Sequence, residues 1–543
     1  MIKSLFSRRQ SIKPRNKVGD NGRRARLQME NLDDRVLLAG NVQATMSPFV
    51  SGQLTITGDI ASNSVKISPS PINPLLLRVQ GVMTSVNTVA YVDFVASSIS
   101  SIQIDMTQGG ADSVAIDNFK VLNKLSFTSA GTGNDSFTTT SVTANQVDIS
   151  ANLGGAASAS VSMTNSIVAG AVMIRTGNGA DRVTLDTGRI GSVMINTGLG
   201  TAGDAVTVTN FLGTPTVPGI GVLQITTTDG NDAINVTKTS MTSLSIFAGN
   251  GNNRINVDSP LIRGTATIFS GNGNDTIDFK ATSVRYLNIN ADGGLNRVRV
   301  YDTNVVMTMN IVGATDLAIS NTTVGSISGI FSGPGSTINV NGLTVNSGNL
   351  SVGAGNSSTV NLTNVTLLGG NVFVNVADSC TVILNTLSVS DEIYITAGNL
   401  TNRIDVLDTQ AESLHINNGV GDTLFNIVNC VFAGGTGVSL NTGDGNHRIN
   451  IIGLDVVTAD PMFFFGLVIS TGLIGDNDVY LANVNVLDGM IVNLSNGINT
   501  VAVDAVVVDW GVINAGTGSS DLLIDYNPGA SSGFVALGFE GFI

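Results

Sequence analysis

Apolar side chains recur along this chain at every second position in short runs, and the runs themselves recur. In FSGNGNDTIDF, Phe269 to Phe279, a turn of glycine, asparagine and aspartate leads into Thr276, Ile277, Asp278 and Phe279, which alternate polar and apolar at the two-residue period of a strand. The same turn, closed by an acid or amide in the position of Asp275, returns at Asp135, Asp181, Asp204, Asp232, Asn253 and Asn296, and in a weaker copy at Asp112. Weaker copies place Asn63, Asn87, Asp316, Ser336, Ser358, Asn402, Asp422, His447, Asp478, Asn499 and Asp521 there, and degenerate copies near Ser158 and Ser379 fill two gaps of double length. Most neighbours in this series lie roughly 20 to 25 residues apart, a period that marks a repeat architecture.

A second apolar pair follows each anchor about twelve residues on, as a two-residue period read twice per repeat gives. Val147/Ile149, Val193/Ile195, Leu244/Ile246, Leu287/Ile289 and Leu414/Ile416 are such pairs, with single apolar residues such as Ile190, Met241 and Val284 between the two strands. One repeat reads as turn, strand, bend with one inward side chain, and strand. Such a unit cannot bury its apolar face alone, whereas stacked copies bury a continuous interior. The pattern predicts an all-β chain folded as one single-stranded parallel β-helix, a β-solenoid with coils of about 22 residues. The usual sense of crossover connections makes it right-handed. The expected divisions are a basic segment over 1–40, the first coils over 41–110, the main solenoid over 111–530, and a cap or tail over 531–543. QLTIT at Gln53 starts the first coil. The widest gap between anchors, from His447 to Asp478, predicts a longer coil or extruded loop, in which Phe463, Phe464 and Phe465 cover a coil edge or form a contact patch.

Composition narrows the alternatives. A mean hydropathy of +0.28 with only 12% charged residues is too apolar for a disordered chain, and 11 prolines are too few for collagen. Amphipathic stretches at helical spacing are lacking, and no run of twenty apolar residues predicts a membrane-spanning helix. Charge is unevenly placed: residues 1–40 hold ten Lys/Arg against four acids, a local charge of +6, which leaves −20 on the remainder of a chain whose total is −14. The basic segment alone suits an anionic partner and allows an alternative reading as a nucleic-acid binder in the cytoplasm. The acidic body opposes that reading, so no nucleic-acid partner is expected.

The turns pose the question of chemistry. A phosphate-cradling loop needs Gly-Lys-Ser/Thr, and a dinucleotide turn needs a helix after its glycines; a strand follows here instead. Two readings of the anchors stay open. Asp and Asn favour the side-chain-bonded turn that precedes a strand while Gly accepts positive φ, or Asp112, Asp135, Asp181, Asp204, Asp232 and Asp275 form a column that holds calcium, with Asp181 and Asp275 in the best copies. Calcium requires six to eight oxygens, and Asn253 and Asn296 interrupt the column. A sugar-cleaving site needs two carboxylates in a cleft, usually beside aromatic platforms. Asp275 with Asp278 and Asp405 with Asp408 are close in sequence but equally suit turns and outward strand positions, and no catalytic set converges. His415 alternates with Leu414 and Ile416 and should point outward, while His447 sits in a degenerate anchor. Cys380 and Cys430 differ in phase within the repeat and are expected to be unbridged.

Two resemblances bear on location. In RRARLQMENLDDRVLLAG, the residues Leu27, Glu30, Leu32, Asp33, Arg35, Leu37 and Leu38 match a short segment near the start of many large surface and secreted proteins of planctomycete bacteria, with Asp33 where glutamate is commoner. That resemblance implies a targeting or processing role. The Gly-x-Gly-x-Asp turns resemble those of extracellular calcium-binding and β-strand-repeat proteins, although the nonapeptide calcium repeats place a turn every nine residues and this chain places one per coil. Together these imply a non-catalytic structural or adhesive protein, extracellular or in the cell envelope, presenting a long acidic face to a surface glycan, to envelope proteins or to copies of itself. The alternatives are a polysaccharide-active β-helix lyase or glycoside hydrolase, and a calcium-stabilised surface assembly.

Overall fold

The structure, a computed structural model, describes residues 40–213, 217–434, 436–457, 466–518, 520–526 and 532–542. The chain divides into two units, 1–37 and 38–543, and the described residues all belong to the second. The basic segment as far as residue 39, and Phe463, Phe464 and Phe465, lie outside the described residues.

Alternation sets the strands. In Thr276–Ala281, Ile277, Phe279 and Ala281 are fully buried while Thr276, Asp278 and Lys280 face outward. Each strand pairs in parallel with its equivalents one coil before and one coil after: Arg254–Ser259 lies in register with Thr276–Ala281, which lies in register with Arg297–Tyr301. Register therefore stacks like on like. Val206, Ile234, Ile255, Ile277 and Val298 form one inward column, and all are buried. The second apolar pairs are buried as well, and so are Ile190, Met241 and Val284 at the bend. The result is a parallel β-solenoid of about 19 turns with coils of about 22 residues. Its core is one continuous cluster along the coil axis.

Two corners shape each coil. At the turn before the first strand, Gly251, Gly273 and Gly294 stack with φ of 117°, 141° and 124°. A Cβ on Gly273 would lie 1.9 Å from the carbonyl oxygen of Gly251 one coil earlier, so glycine is required both for the left-handed backbone and for the close approach of coils. The corner after the first strand also turns through a left-handed residue, most often Asn or Asp: Asn118, Asn165, Asn210, Asp302, Asn321, Asn364, Asp408, Asn429 and Asn483. Asn and Asp tolerate this conformation better than other side chains. In several coils a short third strand follows, as at Thr143–Ala144 and Val431–Phe432.

The two ends differ from the expected coil scheme. The first described strands are antiparallel ribbons, Asn41–Met46 with Gln53–Thr57 and Ser64–Pro69 with Leu76–Gly81, the latter paired again with Tyr91–Val95. Gln53–Thr57 and Ser64–Pro69 then pair in parallel with the first full coil through Ser101–Met106 and Ser113–Asp117. The first coil edge is thus occupied by hairpin strands, which satisfies hydrogen-bonding groups that would otherwise invite another chain. Asn87 belongs to this region and is not an anchor: its amide bonds the N–H and C=O of Ala44. At the other end, coil pairing continues beyond residue 530, through Ser532–Leu537 and Gly541–Phe542.

Candidate functional site

The six aspartates singled out from the sequence lie at the mouth of the glycine turn and point inward; all are at least 95% buried. They join a ladder of hydrogen bonds between coils. The backbone N–H of each anchor donates to the side-chain oxygen of the anchor one coil on: Asn63 to Asp112, Asp112 to Asp135, Asp181 to Asp204, Asp204 to Asp232, and Asn253 to Asp275, each at 2.8 Å. Asp232 donates likewise to Asn253 at 3.0 Å and Asp275 to Asn296 at 2.9 Å. Asn253 and Asn296 therefore continue the column that they were expected to interrupt, since an amide oxygen accepts as well as a carboxylate oxygen does.

Register corrects several anchors by one residue. Ala159, whose N–H donates to Asp181 Oδ1 at 2.6 Å, and Cys380, whose N–H donates to Asn402 Oδ1 at 2.9 Å, occupy anchor positions; Ala159 offers no side-chain acceptor, so the N–H of Asp135 donates to the Ser158 carbonyl oxygen at 3.2 Å and the side-chain ladder is interrupted there. Thr315, Thr423 and Asn477 occupy the anchor positions where Asp316, Asp422 and Asp478 were expected. Each of those aspartates is adjacent to the true anchor. Asp is the commoner residue in the stronger copies, but a threonine hydroxyl fills the same place, as Thr315 Oγ1 does in accepting the N–H of Asn296 at 3.3 Å.

The second side-chain atom distinguishes Asn from Asp. Asn253 Nδ2 donates to the carbonyls of Gly249, Gly251 and Ser270, and Asn499 Nδ2 to those of Ser495, Gly497 and Ala515. An aspartate in this place has no such donor. Oδ2 of Asp112, Asp135, Asp181, Asp232, Asp275 and Asp521 is buried without a hydrogen-bond partner. Thr176, Thr197 and Ser270 bring hydroxyls up to Asp181, Asp204 and Asp275 and oppose an upward pKa shift, but these hydroxyls do not reach good hydrogen-bond geometry. Burial dominates: it pushes Asp112, Asp181 and Asp204 up to about 6, and Asp135, Asp232 and Asp275 in the same direction. At Asp112, Asp135, Asp181, Asp232 and Asp275 one carboxylate oxygen is without a hydrogen-bond partner, where a calcium shell takes six to eight oxygens. No group of three or more His, Cys, Asp or Glu gathers as a metal set among the described residues.

His447 fills an anchor position, buried, with Nε2 2.9 Å from the Gly443 carbonyl, so that nitrogen carries the proton; burial lowers its pKa. His415 stands on the outer face, stacked on Tyr394, which stacks on Phe373, with centroids 4.8 and 5.2 Å apart. Ser413 and Glu392 lie beside it, yet both face the same nitrogen: Ser413 Oγ is 3.0 Å and Glu392 Oε1 3.9 Å from Nε2, and Ser413 is fully buried. A nucleophile and its orienting acid must engage opposite ring nitrogens, so these three residues do not form a nucleophile triad. Cys380 and Cys430 are buried and unbridged. Asp405 accepts from Arg403 and Asn426, whereas Asp408 turns the corner and accepts from Asn429.

The outer face of the first strands carries a mixed-charge depression, of about 380 Å³, lined by Asp278, Arg299, Tyr301, Asp302, Ala318 and Ser320. Arg299 Nε is 3.4 Å from Asp278 Oδ1, and Lys280 Nζ is 3.6 Å from Asp302 Oδ2 and 5.7 Å from the Tyr301 ring centre. Asp275 and Asp278 thus separate, one into the core ladder and one onto this face. The depression was not read from the sequence, because its members come from three coils, although the unusual RVRVY run at Arg297 marked it. Comparison with family models, with curated proteins and with solved structures finds no match for this chain.

Proposed function

We propose that this chain is a non-catalytic structural or adhesive protein, extracellular or in the cell envelope, whose solenoid presents an extended acidic face. One observation carries the reading: the carboxylates with the most unusual environment are engaged in holding coil to coil, through N–H ladders from Asn63 to Asp135 and from Ala159 to Asn296. A repeated scaffold of this kind displays many equivalent surface positions at fixed spacing, which suits multivalent contact. Location rests on the N-terminal segment, and fractionating native cells that carry the full chain or a chain lacking residues 1–40 tests it; equal retention of both in the cytoplasm would overturn it.

A second reading is favoured by the depression around Asp278, Arg299, Lys280, Tyr301 and Asp302, which places acids, cations and one aromatic ring on an exposed sheet as a polysaccharide-active enzyme requires. Incubating the full chain with acidic and neutral polysaccharides and following new chain ends separates the two. The structural reading expects no shortening; shortening that Arg299→Ala or Asp278→Asn abolishes would replace it.

A further inference from the structure

Five of the 16 Lys/Arg residues after residue 40 follow a turn anchor directly, in DRVTL, NRINV, NRVRV, NRIDV and HRINI. Register converts that motif into a surface. Arg182, Arg254, Arg297, Arg403 and Arg448 occupy one column along the coil axis, linked through Ala205, Ala233, Thr276, Asp316, Thr337, Thr359, Thr381 and Leu424. All five arginines are exposed. At about 4.8 Å per coil the column extends over about 58 Å.

The intervening residues are small or neutral except Asp316, which pairs with Arg297 Nε at 2.8 Å. Beyond Arg299, Arg403 and Arg448 are the only Lys/Arg residues in the chain. Those two lie two coils apart and line one depression of about 450 Å³ with Leu424, Thr381 and Asn446. Arg254 and Arg297 repeat the same two-coil spacing across Thr276. Acids also face the column: Asp405 takes Arg403 Nε at 2.8 Å, Asp422 lines the larger depression, and Asp478 follows Arg448 in register. On the turn side runs a neutral amide ladder, Asn231, Asn252 and Asn274, each side-chain oxygen accepting the N–H one coil on.

Resting on the adhesive reading above, we propose that this arginine column is a binding track for a linear anionic polysaccharide lying along the coil axis, with acid groups on alternate sugar rings. A two-coil step of about 10 Å is comparable to the length of a disaccharide unit, so each arginine pair meets successive acid groups on one side of the polymer. The guanidinium fork pairs with carboxylate or sulfate through two parallel hydrogen bonds, and threonine and asparagine neighbours suit sugar hydroxyls. A nucleic-acid duplex fits less well, since the phosphates of each strand repeat about every 3.4 Å along the axis, and a single strand lacks a row of base-stacking rings beside the column among the described residues.

The test is calorimetric titration of the full chain with hyaluronate, whose carboxylates lie on alternate rings, with neutral dextran and single-stranded DNA as comparisons. The basic N-terminal segment is common to every variant, so differences report the column. Hyaluronate binds, dextran does not, and R254Q/R297Q and R403Q/R448Q each weaken binding at least about fivefold at moderate salt. The off-column pair R189Q/R285Q leaves it unchanged, and all variants keep the β-type circular dichroism of the parent. Equal loss in the off-column pair, unchanged binding in the column pairs, or tighter binding of DNA than of hyaluronate would overturn the track. So would a self-associated parent that the column variants dissociate, since the occupant would then be a second copy. Shortening of hyaluronate would instead overturn the non-catalytic reading while leaving the track in place.

Discussion

The backbone N–H of Asp181 donates to Oδ1 of Asp204 in the next coil at 2.8 Å, and the carboxylate that receives it is 95% buried. One oxygen accepts that bond while burial penalises the charge, so the position favours a neutral side chain. With burial raising the folded-state pKa from 3.8 to about 6, the folded chain binds more protons than the unfolded chain between those values. That contribution to stability is fully present below pH 3.8 and is lost as pH rises through 6. His447 acts in the opposite sense: its lowered pKa favours the fold above its ordinary value of 6.5 and withdraws that support on acidification.

Asp204→Asn isolates the carboxylate effect. The amide supplies the Nδ2 donor that Asn253 uses and carries no charge, so the variant should melt higher than the parent at pH 7.5 and no higher at pH 4 to 5. The gain is bounded by about 3 kcal/mol for a shift of about two pKa units. Thermal unfolding at both pH values, with and without calcium, checks this. A variant that melts lower than the parent only when calcium is present would assign an ion to the ladder.

Ile277 is fully buried between Ile255 and Val298 in adjacent coils. Ile277→Asp places an unpaired carboxylate in that column at a cost of several kcal/mol. Because each coil contacts chiefly its neighbours, the damage should be local. Hydrogen exchange should accelerate over 254–301 and leave 381–428 near the parent; uniform acceleration along the whole chain would contradict a solenoid-like hierarchy of stability.

The first strand and the glycine turn were legible in the sequence because one residue period fixes both which side chains face inward and where the anchor falls. The second corner was not. Its left-handed residue is Asn or Asp in many coils but Thr at 187 and 386 and Ala at 505, so no single residue type marks it, and backbone conformation alone reveals the repeat. The antiparallel start was hidden for a related reason: Gln53–Thr57 alternates like any first strand, and its antiparallel partner Asn41–Met46 is separated from it by a turn that carries no coil signal. The role of the aspartates was half visible. Spacing put them in one column, but the substitution of Asn253 and Asn296, read as interruption, proved to be the clue that an accepting oxygen is what the position requires.

Ala505 adopts φ of 55° at the second corner, where other coils use Asn. A Cβ in this conformation costs about 1 to 2 kcal/mol against glycine's freedom. Ala505→Gly and Ala505→Asn should therefore both raise the unfolding midpoint slightly, against the usual direction for a substitution to glycine. A lower midpoint for both would mean that the corner is held by contacts of the Ala505 methyl.

Three glycines, Gly335 and Gly273 in the turn before the first strand and Gly369 in the turn before the second strand Val372–Val376, separate left-handed backbone from close approach of coils. Gly369 has no positive φ and no atom within 4 Å of an added Cβ, Gly335 has φ of 69° with equally open space, and Gly273 has φ of 141° with the Gly251 carbonyl oxygen 1.9 Å from the added Cβ. Gly369→Ala should stabilise slightly, by up to about 1 kcal/mol, by restricting the unfolded chain. Gly335→Ala should cost about 1 to 2 kcal/mol from backbone strain alone. Gly273→Ala should cost clearly more than Gly335→Ala, because relief requires adjacent coils to move apart and the N–H from Gly273 to Gly293 O, 2.9 Å, to shift with them. Denaturant unfolding of the three variants ranks them. Equal costs for Gly273→Ala and Gly335→Ala would show that coil separation yields easily, and that the column of turn glycines is set by φ alone.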